Sequence, residues 1–219
     1  MTYATGDLVE LASLPYAKYL QPFTAELEIG EDYSEAHVDG AEFDGVQAGG
    51  IRFSESALTS VTFTGGNFDR VRLDDVYVSR CRWIGGSWGE TSFLNVSVLD
   101  SVLAGVQSYG AQWRRVVLKD CKIDSLNLRG ARLQDVEFRD CDLTEVDFSD
   151  ATLVGVTFPG TAIRRARFAK ATVKKLDFRT ARELDVALGW ESLRGAVIGG
   201  DQLAEAAPAL AQTLGLVVR

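Results

Sequence analysis

The side chains best suited to chemistry are few and scattered. The one histidine, His37, has no second histidine to share a metal or a proton with. Cys81, Cys121 and Cys141 stand 40 and 20 residues apart, with no Cys-x-x-Cys spacing for a metal and an odd count that argues against a disulfide framework. No phosphate-cradling glycine loop and no nucleophile–base pair can be assembled from what remains. The expectation is a protein that is not an enzyme, with catalytic, metal and cofactor sites all absent. Carboxylates are the abundant functional group, and two sets recur at twenty-residue intervals: Glu35, Glu55 and Asp75, and Asp100, Asp120 and Asp140. Whether they can act together depends on what brings residues twenty apart into one column.

A five-residue repeat does so. Every fifth residue from Tyr33 to Phe178 gives thirty in-register positions, and 28 of them are large and apolar, Ala48 and Ser108 being the exceptions. Two residues before each lies a smaller or branched one, such as Val61, Ala131, Ala151 and Ala166. A period of five fits neither a helix at 3.6 nor a strand at 2.0. Two inward residues followed by a corner make one short side, and four sides close a square coil of twenty residues. The thirty pentads give about 7.5 coils, a rod of roughly 36 Å at a strand spacing of about 4.8 Å. The large positions alternate between Leu, Ile or Val and Phe from Leu133 to Phe178, so opposite faces carry the same class and fill the interior in layers. Trp83, Trp88 and Trp113 belong to this series and read as core rather than as a ligand platform. Ser108 stacks one coil from Trp88, where a large residue would crowd the ring. The cysteines share the column Val61, Cys81, Ser101, Cys121, Cys141, Thr161 and read as inert buried thiols.

The stretches Ala131-Arg132-Leu133, Cys141-Asp142-Leu143 and Ala151-Thr152-Leu153 resemble the pentapeptide-repeat family, whose unit is alanine–(aspartate or asparagine)–leucine–x–x. The resemblance covers about residues 31–200. It implies an all-β solenoid, a right-handed quadrilateral parallel β-helix with short helical N- and C-terminal caps; periodicity shows coiling and not its hand.

The ends leave the register. Residues 1–30 read as an N-terminal cap, with Leu8, Leu11, Leu14, Tyr16, Tyr19 and Leu20 in a short helix or two broken at Pro15. Residues 31–200 form the β-helix, in which the inward ladder fails at Glu183 and resumes at Leu188, Leu193 and Ile198. Residues 201–219 read as a C-terminal helix and tail, with Asp201 as N-cap, a stripe of Leu203, Ala207, Leu210 and Leu214, Pro208 inside and the tail Leu216-Val217-Val218. This segment is either a lid or a homodimer interface of Leu203, Leu210, Leu214 and Trp190. Pairing through C-terminal elements is what resemblance to the quinolone-resistance branch implies.

Charge separates the ends. Residues 1–44 hold ten acids against Lys18, whereas the remaining 175 hold 21 acids and 22 bases, and residues 164–182 hold eight bases against Asp177. Direct nucleic-acid binding is not expected. No run of about 18 uncharged apolar residues could span a membrane, and the first ten residues lack a signal peptide's basic and apolar parts, so a cytoplasmic location is expected. Twenty-residue stacking should pair Asp32/Arg52, Arg70/Glu90, Arg80/Asp100, Arg115/Asp135, Lys122/Asp142, Glu145/Arg165, Asp147/Arg167 and Asp150/Lys170. The like-charged columns Glu35-Glu55-Asp75 and Asp100-Asp120-Asp140 oppose this economy and are the candidate partner-binding residues. The family resemblance implies a protein partner, with DNA gyrase bound through mimicry of DNA as the best single target; the alternative is a rigid scaffold for another cytosolic protein.

Overall fold

The computed structural model describes residues 10–217, so that Leu8 and Val218 lie outside it. Strands stack in parallel, each twenty residues after the last, as in Arg52–Arg72–Ser92–Gln112–Arg132. A ten-stranded sheet spans two faces, because strands such as Arg72–Ser79 and Gln112–Lys119 continue across a corner. An eight-stranded sheet, one strand per coil, makes the third face. The fourth is held by single bridges that run Gln47–Asn67–Ser87–Gln107–Asn127–Asp147–Arg167.

The corners have one geometry. Every fifth residue from Gly30 to Lys175 has positive φ, and nineteen of these corner residues are not glycine. An L-residue in the left-handed region costs roughly 1–2 kcal/mol, least for Asn and Asp, whose short polar side chains bond locally. Corner N–H groups offset this by joining the next coil: Asp100, Asp120 and Asp140 donate to the carbonyls of Lys119, Arg139 and Pro159 at 3.0, 3.1 and 2.8 Å.

The five-residue series turns inward as expected. Phe138, Phe148, Phe158, Phe168 and Phe178 are fully buried. Phe138, Phe158 and Phe178 stack at 5.3 and 5.2 Å, Phe148 and Phe168 at 5.1 Å, and rings from the two opposite faces meet edge to face, as in Phe138 with Phe148. Packing is poorer one third of the way along. Trp83, Trp88, Phe93, Ser108 and Trp113 surround a void of about 20 Å³, and the buried indole N–H groups of Trp88 and Trp113 have no acceptor. Ser108 makes the room the sequence implied and donates its hydroxyl to the Trp88 carbonyl at 3.2 Å.

Four expectations need correction. First, the N-terminal segment forms the expected two short helical turns, Leu11–Ser13 and Ala17–Tyr19 on either side of Pro15, but they lie along the outside of the wall. Leu14 and Tyr16 pack with Ala57 and Tyr77, against Leu11, Leu20 and Leu99. The open end is met instead by Phe23, edge-on to Tyr33 at 5.2 Å, and by buried Leu27. Outward apolar residues on three coils draw the segment sideways.

Second, the inward ladder resumes at Leu184, paired with Ile163, and not at Leu188, which is 54% exposed. One extra residue enters near Thr180, whose carbonyl takes the Gly160 N–H, and the register shifts again before Leu188. Gly189 stands where the ladder expected a large side chain's neighbour: a Cβ there would lie 2.3 Å from the Phe168 carbonyl carbon.

Third, the C-terminal helix spans Gly200–Thr213 with Gly199, not Asp201, as N-cap. Gln202 directs the docking. Its Oε1 accepts from Gly199 N at 2.8 Å, and its Nε2 donates to the Phe178 and Ala181 carbonyls at 2.7 and 3.0 Å, closing the last coil. Gln202 and Ala206 are therefore buried, and Leu203 and Ala207 face outward, one residue round from the predicted stripe.

Fourth, of the eight expected ion pairs the structure closes Glu145–Arg165, at 2.9 Å. Elsewhere arginines reach diagonally, Arg52 to Asp74, Arg129 to Asp147 and Asp150, and Arg164 to Asp142 and Glu183. A guanidinium on three methylenes can choose among several neighbours, so equal stacking position does not select its partner.

Candidate interaction surfaces

Both acidic columns lie on corners. Glu35, Glu55 and Asp75 share one edge of the rod, with φ of 53, 47 and 55°; Asp100, Asp120 and Asp140 share another, with φ of 50, 53 and 51°. The second set is exposed throughout, and Lys119 stands beside it with its Nζ 3.5 Å from Asp120 Oδ2. The first runs into a polar relay: Asn95 donates to Asp75 at 2.9 Å, and Arg115 donates to Asn95 at 2.6 Å. Backbone geometry favours the aspartates, since Asp tolerates a positive-φ corner best after Gly and Asn, but gives no such reason for Glu35 and Glu55. The sequence carried that signal in the residue types at every fifth position.

The C-terminal candidates divide. Leu203 and Leu214 are exposed, 50% and 73%, beside exposed Leu216 and Val217. Leu210 and Trp190 face one another across a cleft of about 300 Å³ between helix and rod, with Leu193, Ala196 and Ile198. The stripe thus splits into a docked half and an open half.

His37 was read as a lone surface residue, and the fold gives it neighbours. Its Nε2 is 2.9 Å from Thr59 Oγ1, and that hydroxyl donates to Asp39 Oδ1. The arrangement resembles a nucleophile with helpers, but the threonine proton is committed to the carboxylate, so the imidazole meets it as a donor and cannot take that proton. Sequence distance hid the contact, as Thr59 comes from the next coil.

The cysteines lie in one buried column. Burial pushes the Cys81 thiol up to about 11. The Cys121 thiol donates to the Val98 and Lys119 carbonyls and the Cys141 thiol to the Leu118 and Arg139 carbonyls. As neighbours one coil apart, the two thiols lower Cys121 and raise Cys141, the latter raised further by burial. Among the described residues no cluster of His, Cys, Asp or Glu could hold a metal ion, and no helix is long and apolar enough to cross a membrane.

Four pentads to a coil, stacked in register with an apolar five-residue series inside, define a pentapeptide-repeat β-helix. Residues 91–168 match the family model described as a pentapeptide repeat region. No curated protein matches. Among solved structures, a trypsin-treated form of QnrB1, described as a plasmid-mediated fluoroquinolone resistance protein, is 16% identical over 86% of this chain and 100% of that one, with a TM-score of 0.40. HetL, a pentapeptide-repeat protein involved in heterocyst differentiation regulation in Nostoc sp. strain PCC 7120, is 14% identical over 77% and 90%, with a TM-score of 0.35. Rfr23 from the cyanobacterium Cyanothece 51142 is 15% identical over 62% and 89%, with a TM-score of 0.30.

Proposed function

We propose that this chain is a non-enzymatic protein-interaction module, a stiff rod that holds columns of side chains at a fixed pitch for a protein partner. The observation that carries this reading is the unbroken corner series from Gly30 to Lys175, which sets exposed side chains at strand spacing without a loop insertion. Such a surface recognises by position rather than by adaptation, and cytoplasmic action without a cofactor is part of the reading.

The acidic columns suit a partner that ordinarily holds duplex DNA, and DNA gyrase is the target the family resemblance names. Asp100, Asp120 and Asp140 supply one charge per coil, about 4.8 Å, against one per 3.4 Å along a DNA strand. The comparison is closest on that one edge. Arg167, Lys170, Lys174 and Lys175 work against it on the last coils, which favours the second reading, a scaffold for another protein. A supercoiling assay with purified gyrase, with and without a quinolone, separates the two. Binding through the column should fall steeply with salt and fall further when all three aspartates are changed to Asn, a residue that keeps the corner conformation. Neither inhibition nor protection at micromolar protein would leave the scaffold.

The open half of the C-terminal stripe is proposed to join a second copy, tail to tail. Leu203→Asp with Leu214→Asp should turn a dimer into monomers without disturbing the Gln202 contacts. A wild-type monomer at high concentration in sedimentation ends that reading.

A further inference from the structure

A surface pocket of about 280 Å³ opens on the ten-stranded sheet, on a face that does not border the Asp100–Asp120–Asp140 edge. It is lined by Ser92, Phe93, Leu94, Gln112, Trp113, Arg114, Arg132 and Gln134. The sheet sets Gln112 beside Arg132 and Arg114 beside Gln134 on adjoining strands. The two arginines are thus diagonal neighbours, one strand and two residues apart, roughly 8 Å between Cα atoms. Both are exposed, and among the described residues neither has an ion pair or a side-chain hydrogen bond, unlike Arg129, Arg164 and Arg165.

The pocket is not only basic. Leu94 points outward on a face whose other members here are polar, and its column neighbour is Arg114. Phe93 is the half-buried member of an otherwise buried stretch of the inward series. It lines both this pocket and the internal void of about 20 Å³, as does Trp113. Those stacked rings, 5.3 Å apart, therefore have free space behind them, and the floor of the pocket can yield.

We propose that this pocket binds an acidic peptide segment of a protein partner, one aspartate or glutamate seated between Arg114 and Arg132 and an adjacent apolar side chain set on Leu94 and Phe93. It rests on the interaction-module reading and deepens it by assigning a second, basic contact surface. Charge complementarity selects a short acidic segment over a nucleic acid. Asp74 stacks one coil before Leu94, and Asp135 follows Gln134, whose amide reaches it at 3.5 Å. A continuous phosphate backbone would meet these carboxylates within one coil, whereas a single carboxylate fits between the two guanidinium groups. The apolar floor likewise gives a phosphodiester nothing to contact.

The test uses the whole protein and a labelled peptide, Gly-Asp-Leu-Glu-Phe-Gly, followed by fluorescence anisotropy. Saturable binding is expected, weakened about tenfold or more by Arg114→Gln with Arg132→Gln, the loss of charge-assisted bonds at both positions. The same peptide with Asn and Gln for its acids should bind as poorly. Leu94→Asp should weaken binding with both arginines intact. All three side chains lie outside the core, and circular dichroism checks that each variant is folded. No saturable binding at millimolar peptide, or binding unchanged in the double arginine variant, overturns the proposal. So does a twenty-nucleotide single strand that displaces the peptide, which would assign the pocket to nucleic acid. A negative gyrase assay leaves this outcome untouched, since that assay reads the aspartate edge.

Discussion

Replacing Phe148 by Ala tests the core where it is packed best. The ring is fully buried, stacked on Phe168 at 5.1 Å with a 10° tilt, and edge-on to Phe138 at 6.3 Å. Removing it opens roughly 100 Å³, and at about 24 cal/mol per Å³ the cavity alone costs about 2.4 kcal/mol. Lost transfer of the ring brings the total to about 4 kcal/mol, within the usual range of about 3–5. Relaxation should recover little, because backbone bonds on either side hold the coils at their spacing. Phe93→Ala is the control: that ring is half-buried beside an existing void, so its loss should cost about half as much. Urea unfolding of each variant, followed by far-UV circular dichroism and by the fluorescence of the buried tryptophans, measures both. Two probes are needed because stacked repeats can unfold in parts. A loss below about 1 kcal/mol for Phe148→Ala, or a larger one for Phe93→Ala, refutes this account of the core.

The corner geometry predicts that Asp120→Asn leaves stability within about 0.5 kcal/mol, while Asp120→Val costs about 1–2 kcal/mol, because a β-branched residue resists positive φ; equal effects in thermal melts would mean that the corner does not select its residue. The Cys121 thiol should react with a maleimide far more slowly in the native protein than in urea, since it is buried on all sides; equal rates would place it at the surface. Removing the Gln202 side-chain amide with Gln202→Leu should cost about 1–3 kcal/mol by taking the donor from the Ala181 carbonyl and one of two donors from the Phe178 carbonyl, and hydrogen exchange should localise the loss to the last coil.

Most of the fold was legible because one pattern, repeated thirty times, fixes which residue of each pentad points inward. The twenty-residue stacking, the phenylalanine columns, the buried thiols and the room left by Ser108 all follow from it. What escaped lies where that pattern has no hold. The N-terminal leucines and tyrosines had an apolar target in Ala57, Tyr77 and Leu99, but these outward residues are conspicuous only once the faces are drawn. The extra residue near Thr180 moved the ladder to Leu184, one place beyond Glu183, where the unshifted register breaks off. In the candidate surfaces, column membership was readable for all six acids. Their positive-φ backbone state is written in the aspartate, asparagine and glycine at every fifth place. Arg114 and Arg132 stand 18 apart in sequence, off the twenty-residue stacking, and only the fold sets them on one pocket.

The unbroken corner series also makes the rod a ruler. Because each coil repeats the same cross-section, excising residues 121–140 would bring Asp120 to Cys141 with every face still in phase. The two ends would draw closer by a single step of about 4.8 Å, turned by the small twist of one coil. Distances between features on this molecule are thus quantised, and a lineage can reset the span between its acidic and basic ends by whole coils without redesigning either one. Past Thr180 that freedom ends, since the shifted register matches no earlier coil and the closing helix fits only there.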